Sequence, residues 1–157
     1  MKKTISIIIG SKSDLETVRQ ATELLGEFRV NFDLKVLSAH RQPMKLARYV
    51  QKASAAGIKL FIAAAGGAAA LPGVIAAHTT RPVIGVPVET KSLKGLDSLL
   101  SIVQMPSGVP VGCMAVGKSG AKNAAIFALE ILALNDKGIA DKLLDFKRRL
   151  AAPAKKK

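Results

Sequence analysis

Short apolar runs and amphipathic stretches alternate along almost the entire chain. Residues 4–9 form a short β-rich run and residues 32–37 are again predicted to be extended, and the stretch between them places apolar residues three and four positions apart, which is the spacing of a helix face. Apolar runs without polar alternation are typical of strands that are covered on both faces. The pattern therefore predicts a parallel sheet between two layers of helices.

The alternation continues and predicts a full set of elements. The first two strands enclose a helix at about 14–28; further strands are predicted at 60–64, 83–86 and within 111–116, and further helices at 43–56, 69–78, 95–105, 121–134 and 139–150. We predict an α/β fold of the flavodoxin-like type, a doubly wound three-layer sandwich with a central parallel sheet.

The length of the chain sets the number of domains. Its 157 residues are enough for one hydrophobic core, so we predict a single domain over residues 1–157. The core is expected at about 4–134, and a basic C-terminal helix and tail at about 138–157. We expect that this helix can reach a neighbouring subunit.

Charge and composition narrow the function classes. The chain has 24 basic and 11 acidic residues, a net charge of +13, which is typical of nucleic-acid-binding domains. Much of the excess lies in the stretch 141–157, and no aromatic residues are interleaved with the basic ones, so we expect no nucleic-acid partner.

The single cysteine, Cys113, excludes an internal disulfide, and the acidic residues and histidines have no metal-ligand spacing, so we expect no metal. No apolar run reaches the roughly 18 residues of a membrane span, and the beginning turns polar too early for a signal peptide, so we expect a cytoplasmic protein without a membrane partner.

Ligands of doubly wound sheets bind beyond the carboxyl ends of the strands, near the point where the strand order reverses. After the first strand come Gly10, Ser11, Ser13 and Asp14, and Ser13 has capping-box spacing with Glu16. A helix that begins here would present free backbone N–H groups to an anion. The alternative is that the serine and aspartate only cap this helix.

The second strand is followed by Ser38, Ala39, His40 and Arg41, and Pro43 is suited to the first turn of the next helix. A histidine can donate and accept a proton at physiological pH, and an arginine can bind phosphate or carboxylate through two parallel hydrogen bonds. The alternatives are a structural histidine and a surface arginine.

The third strand is followed by a glycine pair and alanines, Gly66, Gly67 and Ala68. Missing side chains let a flat ligand, or equally another helix, approach the backbone closely. The three segments are expected at one edge of the sheet, and together they favour an enzyme that acts on a phosphorylated small molecule.

One further motif points to another class of protein. Residues 112–119, GCMAVGKS, match the phosphate-binding loop G-x-x-x-x-G-K-[ST] residue for residue. That motif has its strand before the first glycine, whereas here the apolar residues between the glycines are the best candidate for the strand. No later strand ends in a magnesium-binding aspartate. A P-loop-like nucleotide-binding protein is therefore the weaker alternative.

Several motifs taken together resemble those of the PurE family in order and spacing: GSKSD, SAHR, AGGAAALPG, GVPV, GLDSLLSIVQMPSGVPVG and KNAA. The resemblance covers about residues 5–134 and favours class I of the family, the N5-carboxyaminoimidazole ribonucleotide mutases. It implies a flavodoxin-like octamer in de novo purine biosynthesis, without a cofactor. It also implies that the carboxylate on N5 of an imidazole ribonucleotide moves to C4 through loss and recapture of carbon dioxide.

The same resemblance implies roles for the candidate residues. His40 matches the general acid and base, and Ser11, Asp14 and Arg41 match substrate-binding positions. Arg41 and the helix after the first strand would hold the phosphate, and Asp14 would accept a hydrogen bond from the ribose. The other residues expected around the substrate are Gly10, Ser13, Ser38, Ala39, Gly66, Gly67 and Ala68, of which the last three would form a close, water-poor pocket for carbon dioxide.

The chain departs from the family pattern at one position. Where members usually read GGAAHLPG, this chain has Ala70. His78 cannot replace the missing histidine, because eight helical residues displace it by about 12 Å. A proton relay or carboxylate-orienting role at this position is therefore in question. The nearer alternative to the mutase is the animal-type class, which carboxylates aminoimidazole ribonucleotide with free carbon dioxide and has other residues after the histidine and in the glycine loop.

Overall fold

The computed structural model describes residues 3–152 and contains one all-parallel, five-stranded sheet. The strands are β1 (Ile5–Ile9), β2 (Phe32–Val36), β3 (Leu60–Ala65), β4 (Val83–Pro87) and β5 (Gly112–Cys113). Their spatial order is β2-β1-β3-β4-β5, so the order reverses between β1 and β3. This is the flavodoxin-like arrangement, and it confirms the predicted fold class.

Helices connect the strands and cover both faces of the sheet. A 3₁₀ turn at Lys12–Asp14 leads into the first helix; the helices are α1 (Leu15–Glu27), α2 (Pro43–Ala55), α3 (Leu71–Ala76), α4 (Leu96–Val103), α5 (Gly117–Ala133) and α6 (Lys137–Ala151). Pro43 occupies the first turn of α2, as expected. Two helices differ most from the prediction: α3 is shorter at both ends, and α5 begins at Gly117 instead of at about residue 121.

The side chains of β1 alternate between two hydrophobic cores. Ile5, Ile7 and Ile9 pack with α1 and α5 on one face, and Ile8 packs with α2 and α3 on the other. All four side chains are fully buried. A strand that is covered on both faces needs no polar alternation, which explains why isoleucines occur on both faces of β1.

Small side chains allow α1 and α5 to approach each other closely. Ala21 of α1 and Ala121 of α5 are fully buried in the same core. The terminal helix α6 extends this core with Leu143, and the ring of Phe146 packs edge-on against Phe28 with centroids 6.0 Å apart. Helix α6 therefore packs against its own chain. The lysine-rich tail at 153–157 lies outside the described residues.

Within residues 3–152, no helix is both long and apolar enough to span a membrane. Over the same residues, no three side chains of histidine, cysteine, aspartate or glutamate are grouped closely enough to hold a metal ion.

Candidate active site

A cavity of about 410 Å³ lies at the carboxyl edge of the sheet, between the loops that follow β1, β2, β3 and β4. It is adjacent to the reversal of strand order between β1 and β3, where ligands of this fold class bind. Every predicted site residue except Gly67 lines it: Gly10, Ser11, Ser13, Asp14, Ser38, Ala39, His40, Arg41, Gly66 and Ala68. Three segments that are far apart in sequence thus surround one space.

The loop after β1 is organised by a capping box that differs from the predicted one. The Ser11 hydroxyl accepts a hydrogen bond from the Ser13 N–H at 3.3 Å, and the Asp14 carboxylate accepts one from the Ser11 N–H at 3.0 Å. The predicted pair of Ser13 and Glu16 is wrong, because the Glu16 carboxylate forms an ion pair with Lys118 at 2.7 Å. The helix still begins at the expected place, with its N-terminal turn beside the cavity.

Asp14 is almost completely buried although it lines the cavity. One carboxylate oxygen accepts from the Ser11 N–H, and the other accepts from the Ser13 hydroxyl at 3.3 Å. Burial raises the pKa of Asp14 above its ordinary value of 3.8, and these two hydrogen bonds offset only part of that effect. The carboxylate is therefore a fixed acceptor that the fold holds at an energetic cost.

The loop after β2 presents His40 and Arg41 at the mouth of the cavity. Ser38 shapes the turn, because its hydroxyl accepts from the Arg41 N–H at 3.2 Å and its carbonyl accepts from the Gln42 N–H at 3.0 Å. The Arg41 guanidinium donates to the Gly10 carbonyl at 3.2 Å and so joins this loop to the one after β1. Both side chains are exposed. Two side chains therefore border one opening: His40, which can carry a proton, and Arg41, which is a fixed cation.

A shallower cavity of about 540 Å³ adjoins the first. The two share Gly10, Ser11, Ser38 and Arg41, and Lys12 contributes a second cation to the shallower one. Two cations beside the N-terminal turn of a helix favour an anionic group at this end of the site.

The glycine loop after β3 differs from the expectation at one residue. Gly66 and Ala68 line the cavity, whereas Gly67 does not. Gly67 has a φ of +69°, and its N–H donates to the Ser98 hydroxyl at 2.9 Å while its carbonyl accepts from the Ser101 hydroxyl at 3.2 Å. Gly67 therefore fixes the loop instead of contributing to the surface of the cavity.

Sequence reasoning missed the fourth wall of the cavity. Val88, Glu89, Thr90 and Lys91, in the loop after β4, also line it. The Thr90 hydroxyl donates to the carboxylate of Asp97 in the first turn of α4 at 2.9 Å. The signal was available, since this segment also follows a strand at the same edge of the sheet.

A larger cavity of about 880 Å³ lies elsewhere, between the end of α1 and α6. Its lining consists of the exposed ends of charged side chains around Phe28, among them Arg29, Arg148 and Arg149. None of the residues predicted for the site belongs to it. The smaller cavity at the strand ends is therefore the candidate active site.

The phosphate-loop motif does not adopt the geometry of a phosphate-binding loop. Strand β5 occupies Gly112 and Cys113, and α5 begins at Gly117, so only residues 114–116 lie between them. Lys118 makes an ion pair with Glu16 on α1. The residues that would have to form a wide loop around phosphates are instead part of the sheet and a short connection.

A doubly wound parallel sheet with a polar cavity at its reversal point defines a flavodoxin-like α/β protein of the kind that binds a small molecule. The exposed cations Arg41 and Lys12 beside the N-terminal turn of α1 indicate that this small molecule is anionic. The chain belongs to the AIR carboxylase family, whose family model matches residues 4–152.

Similar proteins extend over nearly the full length of the chain. The N5-carboxyaminoimidazole ribonucleotide mutase of Vibrio parahaemolyticus is 52% identical over 143 residues, which is 91% of this chain and 89% of that protein. The mutase of Bacillus subtilis is 53% identical over 143 residues, 91% of this chain and 88% of that protein. The crystal structure of Treponema denticola PurE has a TM-score of 0.87 and 27% identity, and covers 95% of this chain and 92% of that one. The family predicted from the motifs is thus confirmed.

Proposed function

We propose that this chain is an N5-carboxyaminoimidazole ribonucleotide mutase, an isomerase of de novo purine biosynthesis. The observation that carries the proposal is that His40, Arg41 and the glycine loop border one cavity in a chain that is about half identical to mutases over most of its length. The substrate is a phosphorylated small molecule, and the reaction moves its carboxylate from N5 to C4 of the imidazole ring.

The charged end of the site binds the sugar phosphate. Arg41, Lys12 and the N-terminal turn of α1 attract the phosphate through charge and backbone N–H groups. Asp14 lies beside this end, with its carboxylate held by Ser11 and Ser13, and accepts a hydrogen bond from a ribose hydroxyl. These contacts place the imidazole ring toward His40 and the glycine loop.

His40 carries the proton through the reaction. It protonates N5 as the bond between N5 and the carboxylate carbon breaks, which releases carbon dioxide and leaves aminoimidazole ribonucleotide. The electron pair of the ring at C4 then attacks carbon dioxide and forms the new carbon–carbon bond. His40, now neutral, removes the C4 proton and restores aromaticity. The same imidazole ends in its starting state, so atoms and charge balance without a cofactor.

The glycine loop keeps the two fragments together. Gly66 and Ala68 line the cavity with little or no side chain, so the backbone can lie close to the ring. A close, water-poor surface holds carbon dioxide beside C4, and the recapture step then depends on proximity.

We also propose that the chain acts as a homo-oligomer, an octamer by resemblance to its family. Helix α4 supports assembly, because Leu96, Leu100 and Val103 repeat at four and three positions and are each about half exposed. Leu93 continues the same spacing before the helix and is also exposed. We expect the wild-type protein to sediment as an octamer of 16.5 kDa chains and Leu100→Asp to shift it to smaller species. A monomeric wild-type protein would contradict this part of the proposal.

The cytoplasm is the proposed location, since a phosphorylated substrate does not cross a bilayer unaided.

The function is tested by mixing the purified protein with the N5-carboxylated ribonucleotide and monitoring conversion through the absorbance of the imidazole ring. Conversion without added bicarbonate or ATP supports the mutase; a requirement for bicarbonate with aminoimidazole ribonucleotide as substrate supports the carboxylase, and ATP hydrolysis the nucleotide-binding alternative. His40→Ala is expected to bind substrate while turnover falls by at least about a hundredfold. The control is His78→Ala, which removes the other histidine, an exposed residue after α3, and should retain turnover. Near-normal turnover of His40→Ala would refute the role of His40.

A further inference from the structure

A fully buried serine connects two walls of the cavity. Ser98 lies in α4 and has no exposed surface. Its hydroxyl donates to the Val88 carbonyl at 2.7 Å and accepts from the Gly67 N–H at 2.9 Å. Val88 belongs to the loop after β4 and Gly67 to the loop after β3. One hydroxyl therefore joins two loops that both line the cavity.

The contact with Ser98 holds the N–H side of Gly67, whereas its carbonyl is held separately, by the Ser101 hydroxyl at 3.2 Å and the Ala69 N–H at 2.8 Å. Gly67 has no side chain and a left-handed backbone, a conformation that a glycine exchanges readily for others. Its neighbours Gly66 and Ala68 form the surface of the cavity. Fixing the peptide group of Gly67 thus fixes the orientation of both neighbours.

The loops after β3 and β4 also lie close together, so the hydrogen bonds of Ser98 leave them little room to move apart. A Cβ added at Gly66 would lie 3.5 Å from the Cβ of Val88, which is ordinary van der Waals distance. The Val88 N–H also donates to the Ala65 carbonyl at 2.9 Å, so the hydroxyl of Ser98 connects loops that already run side by side, and it satisfies two backbone groups where they meet.

We propose that Ser98 is a positioning residue for the mutase reaction: by holding the Gly67 peptide, it keeps the loop at residues 66–68 closed over the carbon dioxide that is released and recaptured. The inference rests on the proposed function. Ser98, a side chain outside the cavity, would thus act on the retention of carbon dioxide. Substrate binding at the phosphate end would not depend on it.

Removal of the hydroxyl has a defined chemical consequence. In Ser98→Ala the Gly67 N–H and the Val88 carbonyl lose this partner, and the loop can take other conformations. The bond between N5 and the carboxylate carbon still breaks and His40 still protonates N5. Some of the carbon dioxide then escapes before C4 attacks it, and the turnover ends at aminoimidazole ribonucleotide and carbon dioxide instead of the C4-carboxylated product.

The experiment measures this partition with substrate labelled in the carboxylate. Label recovered in the C4-carboxylated product is compared with label released as carbon dioxide, for wild type, Ser98→Ala and Ser6→Ala. Ser6 is the matched control, because it is equally buried and its hydroxyl bonds to Tyr49 at 2.7 Å, away from the cavity. We expect Ser98→Ala to raise the ratio of released to transferred label by about three- to tenfold, the range set by one hydrogen bond, with KM changed less than about twofold.

Further measurements separate the inference from a general loss of stability. Ser98→Thr retains a hydroxyl and should restore most of the wild-type partition. In the unaltered protein, the Gly67 amide should be protected from hydrogen exchange, and rapid exchange would overturn the inference without any variant. An unchanged partition in Ser98→Ala, or an equal change in Ser6→Ala, would also overturn it. If wild-type protein does not convert the substrate, the proposed function fails instead.

Discussion

Gly67 and Gly117 form a matched pair that isolates backbone strain from steric overlap. Both have left-handed backbones, with φ of +69° and +76°, and a Cβ at either position would meet no atom within 4 Å. Alanine at either position therefore introduces about 1–2 kcal/mol of backbone strain and little else. Only Gly67 belongs to a loop of the candidate active site, so the two substitutions should differ in turnover.

The strain converts to a measurable shift. In a chain of 157 residues, each kcal/mol corresponds to roughly 2–4 °C of melting temperature, so each alanine variant should melt about 2–8 °C lower than wild type. If Gly67→Ala relieves its strain by rotating the peptide, it loses the bond to Ser98, worth about 0.5–1.5 kcal/mol, and falls at the upper end of this range. Gly117→Ala has no such bond to the Ser98 hydroxyl.

Thermal unfolding by circular dichroism and the ring-absorbance assay below the melting transition give the two readouts. We expect both variants to be destabilised, and only Gly67→Ala to lose turnover. Unchanged melting in both would refute the left-handed conformations. Equal turnover in Gly67→Ala and wild type would refute the view that this loop must keep one shape.

Three further predictions concern charge and proton transfer. Because burial raises the pKa of Asp14, the charged form of this residue is disfavoured in the folded state. The melting temperature of Asp14→Asn relative to wild type should therefore increase as pH rises above 3.8, and the variant should have a higher KM. A difference in melting temperature that does not depend on pH would contradict this. Ala70 lines the cavity at the position where the resemblance to the family implies a histidine, so Ala70→His should change the rate or its pH profile, and identical profiles would show that this position has no role in proton relay or in orienting the carboxylate. Burial, with a further contribution from the hydrogen bond to Asp33, raises the pKa of Tyr49 to about 12. As Tyr49 is the single tyrosine of the chain, phenolate absorbance should titrate near pH 12 in the folded protein and near 10 in urea, and stability should be lost as pH rises through this interval; a folded-state midpoint near 10 would contradict the buried position.

The fold was predictable wherever the local pattern of apolar and polar residues determines whether a segment forms a strand or a helix. Buried strands such as β3 show as continuous apolar runs, and Pro43 marks the start of α2. The start of α5 was not predictable, because Gly117 and Gly120 are poor helix formers. In the structure Gly120 approaches Ala115 so closely that a Cβ would overlap its carbonyl oxygen. Tertiary packing therefore sets the start of α5, and local helix propensity does not indicate it.

The site was predictable to the extent that one topological rule positions it. Residues after the strands of a parallel sheet meet at one edge, so Asp14, His40 and Gly66 could be placed together from sequence. The contacts that shape the loops could not be. Ser98 is 31 positions from Gly67, and in the sequence it reads as a polar residue of an apolar helix. Its partner is a backbone N–H, which leaves no trace in residue identity.

The two faces of α4 connect assembly to the chemistry. On one face Ser98 bonds to both cavity loops and Ile102 is buried in the core, while Leu96, Leu100 and Val103 are exposed to solvent. In a single chain His40 is exposed at an open mouth, whereas recapture of carbon dioxide requires a site that excludes water. A neighbouring chain that packs on the apolar face of α4 would bury this face and restrict the motion of the helix that carries Ser98. Assembly would then act on turnover through the same helix that shapes the glycine loop, so a dissociated Leu100→Asp protein should release more carbon dioxide per turnover than the assembled wild type, and full transfer by dissociated chains would break this link.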